Sequence, residues 1–487
     1  MKRFGLFIGG KWVFPSSGKY FPSLNPATEK PIARFASGSE HDVKHAIDVA
    51  EAALPKWKNV PAPKRGQILL KFAGLLRQDK ESLAKLVSTE MGKVLPEARG
   101  DVQEAIDIAE YMAGEGRRLF GHTTPSELQN KFAMTIRVPL GVCSLITPWN
   151  FPLAIPAWKT MPALVCGNTV VFKPSSDTPM CAARFVELLA KAGVPKGVVN
   201  MVTGPGEQIG KELVSNPKVR GVSFTGNKQT GEWIVKNAGI KKVGLELGGK
   251  NAIIILDDAD LGLALKGVVW GAFGTAGQRC TAASRVIVSQ EVQKEFEKML
   301  VKKTSSLRLG PGTNPSTDVG PLINKKAVEK VHYYTELGLS EGAKLLTGGK
   351  PGKGKGFFYE PTIFSEVSPK MRIAREEIFG PSLSIISASG VEEAIKIANS
   401  IEYGLSSSIY TRDISNAFRA IEGIEAGITY VNSSTIGAEV HLPFGGVKGT
   451  GNGAREAGIE GINEFSETKT VYIDFSGKLQ RAQIDTD

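Results

Sequence analysis

The stretch GAFGTAGQRCTAASR, residues 271–285, places Cys280 in a run of glycine, alanine, serine and threonine. A thiol there is either a small core residue or a nucleophile held where a substrate reaches it, and its surroundings weigh the two evenly. The pattern predicts a turn between a helix and the strand SRVIVS, with Gly274 and Gly277 permitting close approach to other segments. An ordinary thiol, with a pKa of about 8.5, is only a few per cent thiolate at neutral pH, so nucleophilic work needs a nearby base or an electropositive setting. Cys143 in GVCSLI, Cys166 in ALVCGN and Cys181 in PMCAARF stand among apolar residues and read as core fillers.

The candidate base is Glu246 in LELGGKN, an acid between two leucines and therefore poorly placed for a solvated surface. Burial raises a carboxylate's pKa toward the range useful for general-base work. Taken alone, the pattern favours a structural glutamate satisfied by backbone amides at a turn. The five histidines, His41, His45, His122, His332 and His441, form no Cys/His motif, so a papain-like mechanism lacks its base. Asn150 in TPWNFP follows a predicted strand, where an amide can donate to a developing oxyanion; a turn asparagine beside proline is the plainer alternative.

No GxGxxG occupies the expected first turn for a nucleotide site. VSFTGNKQTG instead ends a strand with Gly226 and Gly231 and predicts a helix opening, whose free amides suit a phosphate. Lys173 in VVFKPSSDTP also ends a strand, where a cation can meet a ribose hydroxyl or phosphate.

The elements that must position these groups are α/β. GVCSLITP, NTVVFKP, VVNMVTG and VRGVSFTG are short apolar strands separated by helical segments, the pattern of a parallel sheet covered on both faces. NAIIIL, SRVIVS, GPSLSIISA, GLSSSIYT and GITYVN predict a second such sheet. Helical periodicity at 40–54 and 64–91 supplies covering helices, and NKFAMTIRVPL with TKTVYIDF can pair as a small third sheet. The Gly- and Lys-rich GGKPGKGKG, 348–356, reads as a loop.

The 487 residues imply two or three domains, and a formal charge of +11 favours an anionic partner such as a nucleotide or an acidic metabolite. The basic residues are scattered, with no basic patch carrying stacking aromatics, so nucleic acid is not an expected partner. Four dispersed cysteines without CxxC imply a reducing compartment and no zinc site; no metal is expected. No apolar run reaches membrane-span length and the N-terminus lacks a signal-peptide core, so the expectation is cytoplasmic, with no membrane partner.

Seven motifs in order, PWNFP, FKPS, FTG with a second glycine five residues on, LELGGKN, FGTAGQRCTAAS, EEIFGP and LPFGGVKGTGNGAREAG, resemble those of the aldehyde dehydrogenase superfamily over nearly the whole chain. The resemblance implies a Rossmann-like cofactor domain (1–122 and 141–247), a second α/β catalytic domain (248–440) and a small β oligomerisation domain (123–140 and 465–487). It implies that Cys280 attacks an aldehyde, that Asn150 and the Cys280 backbone N–H hold the oxyanion, and that Glu246 activates water to hydrolyse a thioester. Glu456 in REAG becomes a proton relay. Lys173 and Glu377 would hold the riboses of NADP or NAD, with Phe379 near the nicotinamide. Ile146, Trp149, Ser176, Gly206, Phe224, Gly226, Gly231 and Leu247 complete the implied cofactor site. A homodimer or homotetramer follows by analogy.

Two positions bear on specificity. Members preferring NAD often carry Glu where this chain has Ser176, so NADP is expected to be accepted. GQRC and GAEVHLPFGGVKGTGNG are most similar to the α-ketoglutarate semialdehyde (2,5-dioxopentanoate) dehydrogenases, with Arg279 either binding a substrate carboxylate or bracing its loop. Trp158 and Phe444 are candidate pocket walls. Succinic semialdehyde, benzaldehyde-like and aliphatic aldehydes remain open as substrates. A CoA-acylating enzyme is disfavoured by Glu246, and a non-catalytic relative by the presence of Cys280, Glu246 and Asn150 together.

Overall fold

The computed structural model describes residues 1–484; the last three residues of the expected 465–487 segment lie outside the described residues. Two seven-stranded sheets carry the chain. In the first, Lys242–Glu246, Val219–Thr225, Val142–Ile146, Thr169–Lys173 and Val199–Met201 lie side by side in parallel. Leu6–Ile8 and Lys11–Val13 extend it antiparallel, so the β-like start of the chain joins this sheet.

Alternation along the strands sorts their side chains onto two faces. Cys143, Leu145, Val170 and Phe172 pack with the helices Ala62–Gln78, Lys80–Glu90, Leu95–Glu115, Ala154–Cys166 and Pro179–Ala192. Val142, Ile146, Val171, Val222 and Phe224 face the helices Glu40–Lys58, Gly206–Ser215 and Lys228–Ala238 on the other side. The helical periodicity over 64–91 is carried by two helices, broken at Asp79, which caps the first with its N–H on Leu75 and opens the second. The apolar positions continue across the break because both helices bury the same core.

The second sheet runs Lys344–Thr347, Thr362–Ser365, Ser382–Ala388, Ala283–Ser289, Asn251–Ile255, Ser406–Tyr410 and Ile428–Val431, parallel except for its first pair. Its central strands are buried on both faces, which is why they read as unbroken apolar runs. The two β-like outliers do pair: Lys131–Pro139 lies antiparallel to Ser466–Asp474, with Thr123–Pro125 as a third strand. Among the described residues no helix is long and apolar enough to cross a membrane.

The arrangement that matters for chemistry is the junction. Lys242–Glu246 ends the first sheet and Asn251–Ile255 begins the second after only residues 247–250, so the carboxyl edge of one sheet abuts the amino edge of the other. In the first sheet the chain leaves Val142–Ile146 toward Thr169–Lys173 and later returns to its other side as Val219–Thr225. That reversal is the crevice where open α/β sheets bind ligands.

Candidate active site

Cys280 is half-buried, whereas Cys143, Cys166 and Cys181 are buried, as their surroundings predicted. Its turn is fixed from several sides. The Cys280 carbonyl accepts from Asn251 Nδ2 at 2.7 Å, and a Cβ on Gly249 would stand 2.4 Å from that carbonyl, so only glycine lets the junction pass. Gln278 donates to the Thr275 and Pro321 carbonyls and accepts from the Ile323 N–H at 2.9 Å. Asn150 Nδ2 donates to the Gln278 carbonyl at 3.0 Å. One hydrogen of the Asn150 amide is thereby spent on orientation, and the second is left for another acceptor.

Glu246 ends its strand near enough for its charge to act on the Cys280 thiol. It is 3 % exposed and neither carboxylate oxygen has a hydrogen-bond partner, so backbone amides at the turn do not satisfy it. Desolvation, followed by the charge of Glu456, holds its pKa well above the usual carboxylate range, and Lys159 offsets part of this. Desolvation, then the charges of Glu246 and Glu377, push the Cys280 thiol up to about 12. The charge of an ionised Glu246 therefore disfavours the Cys280 thiolate, and protonation of Glu246 removes that charge.

Behind Glu246 lies a polar cluster that sequence reasoning found only in part. Lys159 is the one charged residue of the apolar helix Ala154–Cys166; it is fully buried, pairs with Glu456, and donates to Ser223 Oγ at 2.8 Å. A lone lysine in such a helix was the available signal. Glu464, also buried, adds a third carboxylate, its pKa raised to about 7 by desolvation and Glu456. Glu456 is held by paired main-chain hydrogen bonds with Phe444, both 2.7 Å. The segment carrying them folds over the junction, with the Leu247 N–H donating to Thr450 at 2.7 Å.

The implied cofactor residues gather at the carboxyl edge of the first sheet. Ile146 lies in register with both Lys173 and Phe224, and Glu246 with Thr225. The buried Lys173 ammonium donates to the Pro174 carbonyl at 3.1 Å, and desolvation lowers its pKa to about 8. Ser176 Oγ donates to the Gly204 carbonyl at 3.3 Å, linking it to Gly206, which opens the helix Gly206–Ser215 with no side-chain cap on its amides. Gly226 precedes the helix Lys228–Ala238, and Gly231 within it packs on Leu247. From the second half, Glu377 accepts the Gly249 N–H at 2.9 Å, and Phe379 packs edge-on to Trp149 with ring centroids 5.6 Å apart. A buried ammonium with donors to spare, uncapped helix amides and a buried carboxylate fit the phosphates and hydroxyls of a dinucleotide.

Trp158 is buried on its helix and meets Phe444 edge-to-face at 5.1 Å. Arg279 turns onto the protein side of its loop: Nε donates to Thr275 Oγ1 at 2.9 Å and the guanidinium lies over Trp270 and Phe151. Of its two expected roles, this geometry is that of a brace and not of a free carboxylate anchor.

This two-sheet fold, with a thiol and a buried acid facing a nucleotide-type crevice, defines a dehydrogenase architecture, and the aldehyde dehydrogenase family profile matches residues 12–471. The chain belongs to the aldehyde dehydrogenase family and is an NAD(P)-dependent enzyme. It is 41% identical over 474 residues to the alpha-ketoglutaric semialdehyde dehydrogenase of Bacillus subtilis, covering 96% of this chain and 97% of that one. It is also 41% identical over 480 residues, 96% of each, to the betaine aldehyde dehydrogenase of the same organism. Among solved structures, an NADP-dependent enzyme of E. coli superposes with a TM-score of 0.95 at 38% identity, covering 97% of this chain and 98% of the other.

Proposed function

We propose that this enzyme oxidises an acidic semialdehyde, α-ketoglutarate semialdehyde above all, to the free acid, and that it accepts NADP. The observation that carries the hydrolytic reading is the pair of a half-buried Cys280 thiol and a buried Glu246 without hydrogen-bond partners, near enough for the charge of Glu246 to act on the thiol. Cys280, its thiol proton first lost to solvent, attacks the aldehyde carbon as the thiolate; the S–C bond forms, and the carbonyl oxygen becomes an oxyanion received by Asn150 Nδ2 and the Cys280 N–H. The nicotinamide, when bound, supplies the acceptor for the hydride on that carbon. Glu246 then takes a proton from water, which attacks the Cys280 thioester and releases acid and thiol. Glu456 and its partner Lys159, whose charges act on Glu246, would pass that proton on, a role supported by their burial beside it.

Acidity of the substrate is supported by the likeness to the semialdehyde enzyme of B. subtilis and not by Arg279, whose guanidinium is occupied. The equal identity to a betaine aldehyde enzyme means that likeness alone does not choose the substrate. Acceptance of NADP is supported by Ser176: a carboxylate there would oppose the 2′-phosphate by roughly 4 kcal/mol per charge pair at 4 Å. Neighbouring Asp177 is engaged with Asn324 Nδ2 at 3.2 Å and Ser175. In this reading the first sheet and its helices bind cofactor, the second sheet carries the nucleophile, and the edge strand Ser466–Asp474 joins copies into a dimer or tetramer.

An aldehyde panel against both cofactors, followed at 340 nm, tests it. The expected result is that α-ketoglutarate semialdehyde exceeds succinic semialdehyde, benzaldehyde and acetaldehyde by about tenfold or more in kcat/KM, a margin of about 1.4 kcal/mol. NADP should be used at least comparably to NAD. Betaine aldehyde or a neutral aldehyde as best substrate would overturn the substrate, and NAD favoured by more than about a hundredfold would overturn the Ser176 argument.

A further inference from the structure

The turn that presents Cys280 is strained. Thr275 and Ala276 have φ of 53° and 54° and Gly277 of 69°, three successive left-handed residues of which two bear a Cβ. Such a conformation persists only where the surroundings over-determine it. At position 277 only glycine fits: a Cβ there would stand 2.2 Å from the Gly380 carbonyl. At Thr275 the cause is a carboxylate from a distant helix. Glu97 accepts the Thr275 N–H at 2.8 and 3.0 Å and its hydroxyl at 3.2 Å. Arg279, one residue before the nucleophile, donates to the same hydroxyl at 2.9 Å and lies 3.7 Å from Glu97.

The same helix also holds the other arm of the site. Asp101, one turn on from Glu97, accepts the Ala154 N–H at 2.8 Å just after the Asn150 turn. It pairs at 3.1 Å with the fully buried Lys93, whose ammonium lies 3.6 Å from the centroid of Phe151. Phe151 is next to Asn150, and Arg279 also lies over its ring at 5.2 Å. One face of Leu95–Glu115 thus splints both the thiol turn and the oxyanion turn, which meet where Asn150 donates to Gln278.

We propose that Glu97 is a positioning residue for the nucleophile: with Arg279 as its countercharge it holds Thr275 in the left-handed conformation that sets Cys280 against Asn150. The proposal rests on Cys280 being the nucleophile, and it assigns Arg279 to the loop and not to the substrate. Its consequence is a kcat effect, because a displaced nucleophile costs about 100-fold in rate for an ångström of error while binding surfaces stay intact.

Three variants test it on whichever aldehyde of the panel is oxidised fastest. Glu97→Ala should lower kcat by about 100-fold with KM for aldehyde and cofactor within about threefold. Glu97→Gln, which keeps an acceptor oxygen and guards against a folding defect, should lose about tenfold or less. Adding Thr275→Gly to Glu97→Ala should recover about tenfold of kcat, because glycine takes the left-handed conformation without strain; a merely structural role for Glu97 predicts no such recovery. The alkylation rate of Cys280 by iodoacetamide, read without substrate or cofactor, should shift at least about tenfold in Glu97→Ala and return in the double variant. A Glu97→Ala enzyme with kcat and alkylation rate within about threefold of the parent, or no recovery with glycine, overturns the proposal. A selective rise in KM for the acidic semialdehyde in Arg279→Ala, at unchanged kcat, overturns the part given to Arg279. Failure of the substrate reading would appear separately, as a parent enzyme preferring a neutral aldehyde, and the alkylation rates would still decide the role of Glu97.

Discussion

At the scale of single residues, the site sets a thiol beside a buried acid whose charge makes the thiol harder to ionise. Cys280 is raised to about 12 by desolvation and then by Glu246, and Glu246 is raised well above the usual carboxylate range by desolvation and then by Glu456, so a protonated Glu246 leaves the thiol easier to ionise. Asn150 adds a donor fixed by Gln278. Asn150→Ala should therefore cost about 100- to 1,000-fold in kcat/KM, the usual loss for one oxyanion donor, measured under subsaturating aldehyde. Ser176→Glu should lower kcat/KM for NADP by about 1,000-fold while leaving NAD within about fivefold, since about 4 kcal/mol of repulsion acts only on the 2′-phosphate. Residue chemistry was legible where a motif or an incongruous setting marked it: Glu246 between leucines, Asn150 between prolines. It was illegible where partners are far apart in the chain, as Lys159 with Glu456 or Glu97 with Thr275, because no local pattern reports a contact across hundreds of residues.

At the scale of elements, the strands were readable as apolar runs because they are buried on both faces, and each predicted strand of the two sheets is present. The break at Asp79 was not, since periodicity records a buried face and not the hydrogen bonds that end a helix. Helix Gly458–Glu464 shows what else escaped: it delivers Glu464 against the Lys159 cluster, with nothing local to distinguish it from a surface glutamate. The raised pKa of Glu464, about 7 against an ordinary 4.5, means the folded protein binds that proton more tightly than the unfolded chain. The resulting stabilisation is fully present below pH 4.5 and is lost as pH rises through about 7. Thermal unfolding between pH 5 and 8 should show parent stability falling relative to Glu464→Gln as pH rises; a pH-independent gap between the two would contradict the burial of an ionising carboxyl there.

At the scale of the whole molecule, Ser466–Asp474 is a nine-residue edge strand, paired on one side only, with Tyr472 and the adjoining Phe475 each 66 % exposed. An open edge of that length, carrying exposed Tyr472 and Ile473 beside Phe475, is an aggregation hazard unless another chain covers it. Tyr472→Lys with Phe475→Lys should lower the mass seen by size-exclusion chromatography with light scattering from a dimer or tetramer toward the monomer; a monomeric parent would contradict the proposed pairing. Sheet order puts Cys280 and Glu246, the proposed nucleophile and base, with different sheets joined through residues 247–250, and the proposed hydrolysis depends on their acting in sequence. The most direct test removes only the second step. Glu246→Gln, mixed with NADP and α-ketoglutarate semialdehyde, should release one NADPH per site in a burst, then slow by about 100- to 10,000-fold. Intact mass should show the acyl group retained on the chain, at Cys280. Full steady turnover with no adduct would contradict the account.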